Sequence, residues 1–225
     1  MGSIYRSDPA GRPTAWYNLC ARLFRTQSSP AAGRAVSLSN EGEPMRGKRT
    51  DAEKNRKSAS TAERTHIVHP FPPTWNGESE ILILGSFPSV KSRANGYFYG
   101  HPQNRFWRVL ALLFSEPCPV SNEDKKAFLL RHHIAAWDVI ASCEISGSSD
   151  SSIRNVVPND LSTILTGSGI RGIFCNGQTS YRLYSRYLYP ITGREAVCLP
   201  STSPANAAWT LEKLTDAWSV IKTPD

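Results

Sequence analysis

The sequence predicts an α/β protein in which helices cover both faces of a central four-stranded, mostly parallel sheet, that is, a three-layer α/β/α sandwich. Two observations carry this prediction. From about residue 69 onward, short apolar runs alternate with segments that have the apolar spacing of amphipathic helices, which is typical of right-handed strand–helix–strand crossovers. The clearest run is continuously apolar between Glu80 and Gly85, as expected for a parallel strand buried on both faces.

The remaining elements follow from periodicity and from residues that favour helix ends. The segment 102–114 has apolar residues at 106, 109, 110, 113 and 114, which form one helical face, and Pro102 suits a first helical position. Ser203 is a candidate N-cap for the last helix. Residues 86–101, rich in Gly, Ser, Asn and Tyr, predict an irregular stretch. The predicted strands are 80–85, 134–141, 172–176 and 196–199, and the predicted helices are 102–114, 123–131, 160–165, 178–189 and 204–221.

Length and charge favour one globular domain preceded by an unstructured extension. The chain has 225 residues and a net charge of +7, and this length suits a single domain. Residues 1–64 hold 12 Lys/Arg against 6 Asp/Glu, whereas residues 65–225 hold 14 against 13. Because the first segment is also rich in Ser, Gly and Pro without sustained apolar periodicity, we expect 1–64 to be a disordered basic extension and 65–225 to be the functional domain.

Cysteine usage and apolar segment lengths bear on the compartment. The five cysteines include no C-x-x-C pair, which argues against a disulfide framework and favours an intracellular site, the cytoplasm, nucleoid or nucleus. No apolar stretch approaches the roughly 18 residues that cross a bilayer, so no membrane association is expected. Apolar residues at helical spacing between Trp16 and Phe24, beside Arg22 and Arg25, also fit an organelle transit peptide, although Asp8 and several prolines argue against it.

Functional residues are expected in the loops that follow the strands, because the carboxyl ends of parallel strands meet at one edge of the sheet. The sequence has no G-x-S-x-G, no H-E-x-x-H and no paired carboxylates after strands. His132 and His133 lie at a helix end, where a capping or solvated role is favoured over catalysis. The loops instead supply hydroxyl, amide and aromatic groups, which suit gripping a flat heteroaromatic ring beside a phosphate backbone.

Three stretches resemble the signature loops of a known family. They are Gly85-Ser-Phe-Pro-Ser89, Tyr97-Phe-Tyr-Gly-His-Pro-Gln-Asn-Arg-Phe-Trp107 and Leu199-Pro-Ser-Thr-Ser-Pro-Ala-Asn206. In this order they are similar to the uracil-DNA glycosylase superfamily, most of all to its hypoxanthine (deoxyinosine) DNA glycosylase branch and next to its mismatch-specific uracil/thymine branch. The resemblance covers roughly residues 67–222.

The resemblance implies a monofunctional base excision repair enzyme that flips a deaminated base, hypoxanthine in the most similar branch, out of DNA and hydrolyses its N-glycosidic bond. It implies no cofactor and no metal, a DNA partner that contains the deaminated base, and a monomer. Other branches carry Asp or Asn at the position of Phe87, which cannot position water. The hypoxanthine branch uses the Asn of H-P-x-N instead, which is Asn104 here; on the first turn of the predicted helix it would orient water or hydrogen-bond the base.

Further roles follow from the same resemblance. The His that begins the second loop of the uracil branch is absent at Leu199 and Pro200, which argues against an ordinary uracil enzyme. Some branches hold an iron–sulfur cluster through four cysteines, but the cysteines here lack the close spacing of such ligands, so no cluster is expected. Tyr99 aligns with the aromatic residue that stacks on the extruded base, with Tyr97 and Phe98 as alternatives.

The other candidate contacts lie in the same loops. Asp138 is either a pocket residue or a structural hydrogen-bonder, and Asn176, which precedes a glycine, is interpreted as a turn residue. For the base the further candidates are Gly85, Ser86, Phe87, Pro88 and Ser142. For DNA they are Ser89, His101, Ser201, Thr202, Ser203 and Asn206, with Arg93, Arg105 and Arg108 as candidate phosphate contacts.

Two other functions fit the same residues. One is a mismatch-specific uracil/thymine DNA glycosylase of the same fold. The other is a non-catalytic nucleic-acid binder that has lost the acid or amide of the first loop, which the near-neutral charge of residues 65–225 allows.

Overall fold

The computed structural model describes residues 64–146 and 152–222, so the predicted basic extension and its transit-like segment lie outside the described residues. In chain order the elements are β1 (Thr65–Val68), β2 (Ile81–Gly85), α1 (Val90–Asn95), α2 (Phe106–Phe114), α3 (Asn122–Arg131), β3 (Ile134–Asp138), β4 (Ile140–Ile145), β5 (Arg154–Pro158), α4 (Ser162–Gly167), β6 (Gly172–Asn176), α5 (Gln178–Leu183), α6 (Tyr189–Thr192), β7 (Val197–Leu199) and α7 (Leu211–Trp218). A π-helical turn, Tyr184–Leu188, joins α5 to α6.

A four-stranded parallel sheet with the order β3-β2-β6-β7 forms the centre of the domain. All five residues of β2 are buried, and successive side chains of a strand point to opposite faces. Ile81 and Ile83 pack in a core with residues of α2, α3 and α7, whereas Leu82 and Leu84 pack in a second core with residues of α4 and α5. The predicted three-layer α/β/α sandwich is therefore confirmed.

A second sheet, which the sequence did not predict, lies beside the first. β1, β4 and β5 pair antiparallel in the order β1-β4-β5. The predicted strand at 134–141 is wrong as a single element, because it breaks at Val139: β3 ends at Asp138 in the parallel sheet and β4 begins at Ile140 in the antiparallel one. β1 and β5 are mostly exposed, so they lack the apolar runs that identified the buried strands.

Three predicted helix boundaries are also wrong. The helix predicted at 102–114 begins at Phe106, and residues 102–105 form a turn. The last helix begins at Leu211 with Thr210 as its N-cap, so Ser203 caps no helix. Pro190 does not end the helical segment but lies within α6, at the start of its single turn, where a missing N–H is tolerated. No helix in the described ranges has the length and apolar character of a membrane span.

Candidate functional site

A cavity of about 340 Å³ opens where β2, β3, β6 and β7 end. This is the edge of the parallel sheet at which the sequence predicts the site. Most of the predicted site residues meet there, whereas Ser142, His101 and Asn206 do not line it. The lining residues are Gly85, Ser86, Phe87, Pro88, Ser89, Ser92, Phe98, Tyr99, Asn104, Asp138, Asn176, Ser201, Thr202, Ser203 and Ala205.

Asn104 lies in the turn before α2 and not on its first turn, as the sequence predicted. Its Oδ1 accepts hydrogen bonds from the backbone N–H of Phe106 at 3.0 Å and from the hydroxyl of Thr202 at 2.9 Å. A backbone N–H can only donate, so the Phe106 contact fixes which end of the amide is which. Both acceptor positions of Oδ1 are thus used, and Nδ2 has no partner among the described residues. Asn104 therefore offers the cavity a hydrogen-bond donor.

Asn176 and Thr202 hold Asn104 in place from the opposite loop. Asn176 donates from Nδ2 to the Thr202 hydroxyl at 2.9 Å and accepts from the Thr202 backbone N–H at 3.0 Å. The interpretation of Asn176 as only a turn residue is corrected by this pair of bonds. Thr202 is fully buried, so its side chain cannot meet a DNA phosphate in this conformation, contrary to the prediction. Its hydroxyl instead links Asn176 to Asn104.

Arg105 anchors the loop 202–209 against the start of α2. Its guanidinium donates to the carbonyl oxygens of Ser203, Asn206 and Trp209, and its backbone N–H donates to that of Thr202. Burial lowers the pKa of Arg105, but an arginine remains charged in proteins. Because these donors are used within the fold, Arg105 is a structural residue and not the phosphate contact that the sequence predicts.

Asp138 forms the far side of the cavity together with a residue that the sequence analysis missed. Its Oδ2 lies 2.9 Å from Nε2 of His69, and the two side chains are only 5% and 4% exposed. Asp138 thus proves to be both a pocket residue and a structural hydrogen-bonder, the two options that the sequence left open. His69 follows β1 and belongs to no recognised motif. The sequence feature that could have indicated it is a lone histidine in the apolar stretch that leads to β2.

Tyr99 and Gly85 lie against the Asp138 carboxylate. Tyr99 adopts a left-handed backbone conformation (φ +52°) and stacks on Phe106 with ring centroids 3.9 Å apart. A Cβ atom added to Gly85 would lie 2.1 Å from Asp138 Oδ1 and 3.3 Å from the Tyr99 hydroxyl oxygen, so only glycine fits there. Of the two aromatic alternatives, Tyr97 bonds to Thr74 and does not line the cavity, whereas Phe98 lines it but is 2% exposed.

The Tyr99 hydroxyl is buried without a hydrogen bond of ordinary geometry in the described part of the chain. Burial raises its pKa above the usual value, and the nearby charge of Asp138 raises it further, while the amide of Asn176 acts in the opposite direction. Both ends of that amide are engaged by Thr202. The phenol therefore stays protonated and contributes a neutral O–H group.

The remaining predicted contacts are explained by local structure. Ser89 is the N-cap of the unpredicted helix α1 and accepts from the Ser92 backbone N–H. Ser142 lies in β4 opposite Val68 and outside the cavity. His101 accepts from the backbone N–H of Gln103.

The loop 201–206 is ordered by its own side chains. Ser201 accepts from the Ser203 backbone N–H, Ser203 accepts from that of Ala205, and Asn206 donates to the Ser201 carbonyl. Ser201, Ser203 and Ala205 also line the cavity mouth. Asn206 supports this loop from behind.

Two classes of chemistry have no residues to support them here. Among residues 64–146 and 152–222, no three His, Cys, Asp or Glu side chains come together as metal ligands would. Burial raises the pKa of Cys175 to about 12, so its thiol is not a nucleophile at neutral pH. The cavity instead offers the Asn104 amide donor, the Asp138 carboxyl, the Tyr99 ring and several serine hydroxyls.

Comparisons with known proteins show the family and the fold of this chain. The family model of the uracil DNA glycosylase superfamily matches residues 72–222. A hypoxanthine DNA glycosylase of Methanosarcina acetivorans is 32% identical over 156 residues, which are 69% of this chain and 98% of that protein. A hypoxanthine DNA glycosylase of Methanosarcina barkeri is 33% identical over 138 residues, 60% of this chain and 86% of that protein.

A solved structure shares the fold. The solution NMR structure of a candidate uracil DNA glycosylase from Methanosarcina acetivorans superimposes with a TM-score of 0.60 at 31% identity, covering 69% of this chain and 98% of that one. Family model, curated relatives and structural neighbour therefore point to one group of proteins. The chain belongs to the uracil DNA glycosylase superfamily.

Proposed function

We propose that this protein is a monofunctional DNA glycosylase that excises hypoxanthine from DNA by hydrolysis, without a cofactor. The observation that carries the proposal is the free amide Nδ2 of Asn104, held at the cavity by two hydrogen bonds to its own Oδ1. The names of the two Methanosarcina relatives support hypoxanthine as the base. We further propose that the protein acts as a monomer.

The reaction needs stabilisation of a departing anion more than it needs a strong base. The bond between C1′ and N9 of the purine breaks, its electron pair stays on the base, and water adds to the oxocarbenium-like sugar and releases a proton. A donor placed at the departing base lowers this barrier, because the charge develops there only in the transition state. Because both acceptor positions of the Asn104 oxygen are used, that oxygen is not available to accept a hydrogen bond from water. The Asn104 N–H group is free to donate to the departing base.

The other cavity residues would hold the flipped base. Asp138 carries an acceptor-only carboxylate when ionised, and hypoxanthine presents an N1–H donor on its pairing edge. Tyr99, backed by Phe106, offers an aromatic wall on which a base can stack. The glycine and proline of the first loop, Gly85 and Pro88, shape the floor beneath it.

DNA contacts are proposed for the cavity mouth. Ser89, Ser201 and Ser203 line the cavity, and their hydroxyl and backbone N–H groups are of the kinds that bind phosphate oxygens. We propose that Ala205 enters the space that the flipped nucleotide leaves, because it lies at the rim of the same loop.

A second candidate function is excision of uracil or mismatched thymine. Asp138 favours it to the same extent, because the N3–H of uracil or thymine can donate to a carboxylate as the N1–H of hypoxanthine does. The discriminating feature is the size of the base that the cavity accepts, and a panel of substrates decides between them.

The test is a base-release assay on labelled duplexes that contain deoxyinosine, deoxyuridine, deoxyxanthosine or a mismatched thymine. Wild type is compared with Asn104→Ala, and Asn122→Ala serves as the matched control because its amide makes one exposed bond to Asn95 outside the cavity. We expect deoxyinosine to be the best substrate and Asn104→Ala to lose about 10²- to 10³-fold in rate, as for loss of one donor to a developing anion.

Each alternative gives a distinct result. Preference for deoxyuridine or mismatched thymine over deoxyinosine would replace hypoxanthine with the second candidate function. Binding of the duplexes without release of any base would show a non-catalytic binder. Full activity of Asn104→Ala would remove Asn104 from the mechanism.

A further inference from the structure

The buried pair of His69 and Asp138 is not explained by packing alone. Four aromatic rings surround the His69 ring, at centroid distances of 4.7 to 6.5 Å, and the side chain is 4% exposed. An apolar side chain would fill this space without the cost of burying polar atoms. Burying this polar pair therefore costs folding free energy, which suggests that the pair is kept for its function. The four rings are those of Phe71, Phe87, Phe98 and Trp137.

The hydrogen-bond partners determine where the proton of His69 lies. Nδ1 is buried and has no partner in the described part of the chain, so a proton placed there would be an unpaired buried donor. Nε2 lies 2.9 Å from Asp138 Oδ2, and imidazole is a stronger base than a carboxylate. The proton is therefore assigned to Nε2, which donates it to Asp138 Oδ2.

The same bond determines the orientation of the carboxylate. With Oδ2 held by His69, Oδ1 makes no hydrogen bond to a described residue, and the side chain lines the cavity. Oδ1 also rests directly over the Cα of Gly85, where no methyl group would fit. Asp138 Oδ1 is thus an acceptor without a hydrogen bond to a described residue, and it lies at the cavity where a flipped base would bind.

We propose that His69 is a positioning residue for base recognition: its bond to Oδ2 holds the Asp138 carboxyl turned so that Oδ1 accepts the N1–H of hypoxanthine. The inference rests on the proposed function. Deamination converts N1 of adenine, which is an acceptor, into the N1–H donor of hypoxanthine, so an acceptor oxygen at this place bonds to the deaminated base and opposes N1 of adenine. His69 therefore contributes to the discrimination between damaged and normal base without touching the substrate.

The variants that test this are His69→Phe, which keeps the aromatic packing but removes the donor, and His69→Gln, which keeps an N–H at similar reach. The matched controls are His132→Phe and His132→Gln, because His132 bonds to Glu116 at the same 2.9 Å but outside the cavity. The rate of hypoxanthine release is measured for each variant, alone and combined with Asp138→Asn, together with its thermal unfolding.

We expect His69→Phe to lose about 10- to 100-fold in kcat/KM, the size of the loss when the partner that orients a metal-binding side chain is removed. His69→Gln should recover most of the loss, and both His132 variants should stay near the wild-type rate. In the Asp138→Asn background, His69→Phe should add less than about twofold, because coupled residues are not additive. A folded His69→Phe with the wild-type rate, or a full additional loss in that background, would overturn the inference.

A measurement on the unsubstituted protein decides the matter if the His69 variants fail to fold. Nitrogen NMR of the labelled imidazole reports which nitrogen carries the proton, and we expect Nε2–H with Nδ1 unprotonated. A proton on Nδ1 alone would overturn the inference, because Asp138 would then be the donor of the pair. If wild type releases no hypoxanthine, the proposed function and this inference both fail. If wild type and His69→Phe release hypoxanthine at the same rate, the proposed function is retained and only the role of His69 is rejected.

Discussion

The two sides of the cavity differ in how completely their polar atoms are hydrogen-bonded. On the side that we call the amide wall, Asn104, Asn176 and Thr202 bond to one another, and every side-chain polar atom except Asn104 Nδ2 has a partner. The other side, the acid wall, consists of His69, Asp138 and Tyr99. There, within the described residues, His69 Nδ1 and the Tyr99 hydroxyl are buried without partners, and Asp138 Oδ1 makes no hydrogen bond.

This difference separates a scaffold from a binding surface. The amide wall is complete without a ligand, so it fixes one donor in space before substrate arrives. The acid wall retains buried polar atoms that each cost about 1–3 kcal/mol when unpaired. Such atoms persist where a bound molecule or a functional constraint accounts for them. We therefore expect damage to the acid wall to change activity more than stability, and damage to the amide wall to change both.

The largest effect expected on the acid wall comes from Gly85→Ala. The added methyl would lie 2.1 Å from Asp138 Oδ1, so the carboxylate must move out of its position over the glycine. A displacement near 1 Å in a reacting geometry costs about 100-fold in rate, and we expect at least that loss of hypoxanthine release in a single-turnover assay. The variant should still fold, because the obstruction lies at the cavity floor.

The matched control for Gly85→Ala is Gly169→Ala. A Cβ there would meet nothing closer than the Ser79 carbonyl at 3.9 Å, and its rate should equal that of wild type. Wild-type activity of Gly85→Ala would show that the position of the Asp138 carboxylate does not matter, and the acid wall would lose its proposed role.

A smaller effect on rate, with a clear effect on stability, is expected for Thr202→Val on the amide wall. The substitution keeps the shape but removes the hydroxyl that joins Asn176 to Asn104. The free energy of unfolding should fall by about 1–3 kcal/mol, because Asn176 Nδ2 is left without an acceptor and Asn104 Oδ1 loses one of its two donors. Hypoxanthine release should fall about tenfold, since Asn104 keeps its bond to Phe106 but loses its second support.

Chemical denaturation and the release assay measure both effects of Thr202→Val. Thr166→Val is the control, because its hydroxyl bonds only to the Ser162 carbonyl on an exposed helix, and it should change stability by less than about 0.5 kcal/mol. Equal stabilities of the two variants would mean that the amide wall is not the scaffold described above.

The smallest effect on rate is expected for Arg105→Lys, which weakens the support behind the amide wall. A lysine cannot reproduce the planar fork that donates to several carbonyl oxygens at once. We expect a loss of about 1–2 kcal/mol in unfolding free energy and at most about a threefold loss of rate. Arg108→Lys, on the exposed side of α2, should leave the unfolding free energy unchanged and serves as the stability control. A loss of rate without a loss of stability would instead assign Arg105 to DNA binding.

The sequence predicted the elements that are buried on both sides and missed those that are not. The runs that became β2 and β6 are continuously apolar, and their predicted bounds differ from the observed ones by one residue at most. The transfer of the chain from β3 to β4 at Val139 leaves no signal, because residues 139–141 continue the apolar run and only the pairing partner changes.

The candidate site divides in the same way. Asn104, Tyr99 and the first loop were predicted because a motif marks them, and the structure brings them to the cavity. His69 and Asn176 were not predicted as functional, because their roles depend on partners distant in the chain. His69 bonds to Asp138, which is 69 positions away, and Asn176 bonds to Thr202, which is 26 positions away. Contacts of that range exist only once the sheet is assembled. Thr202 was predicted at the right place but with the wrong environment, since a threonine in a loop is ordinarily exposed.

The most direct test of the account is the Asn104→Asp variant in single-turnover release of hypoxanthine. The replacement keeps Oδ1 for the Phe106 N–H and the Thr202 hydroxyl but exchanges the Nδ2 donor for a negatively charged oxygen. We expect an unfolding free energy within about 0.5 kcal/mol of wild type and a rate at least about 100-fold lower, because the departing base loses its donor. A rate equal to or above that of wild type would show that residue 104 acts as an acceptor that activates water, and would contradict the account.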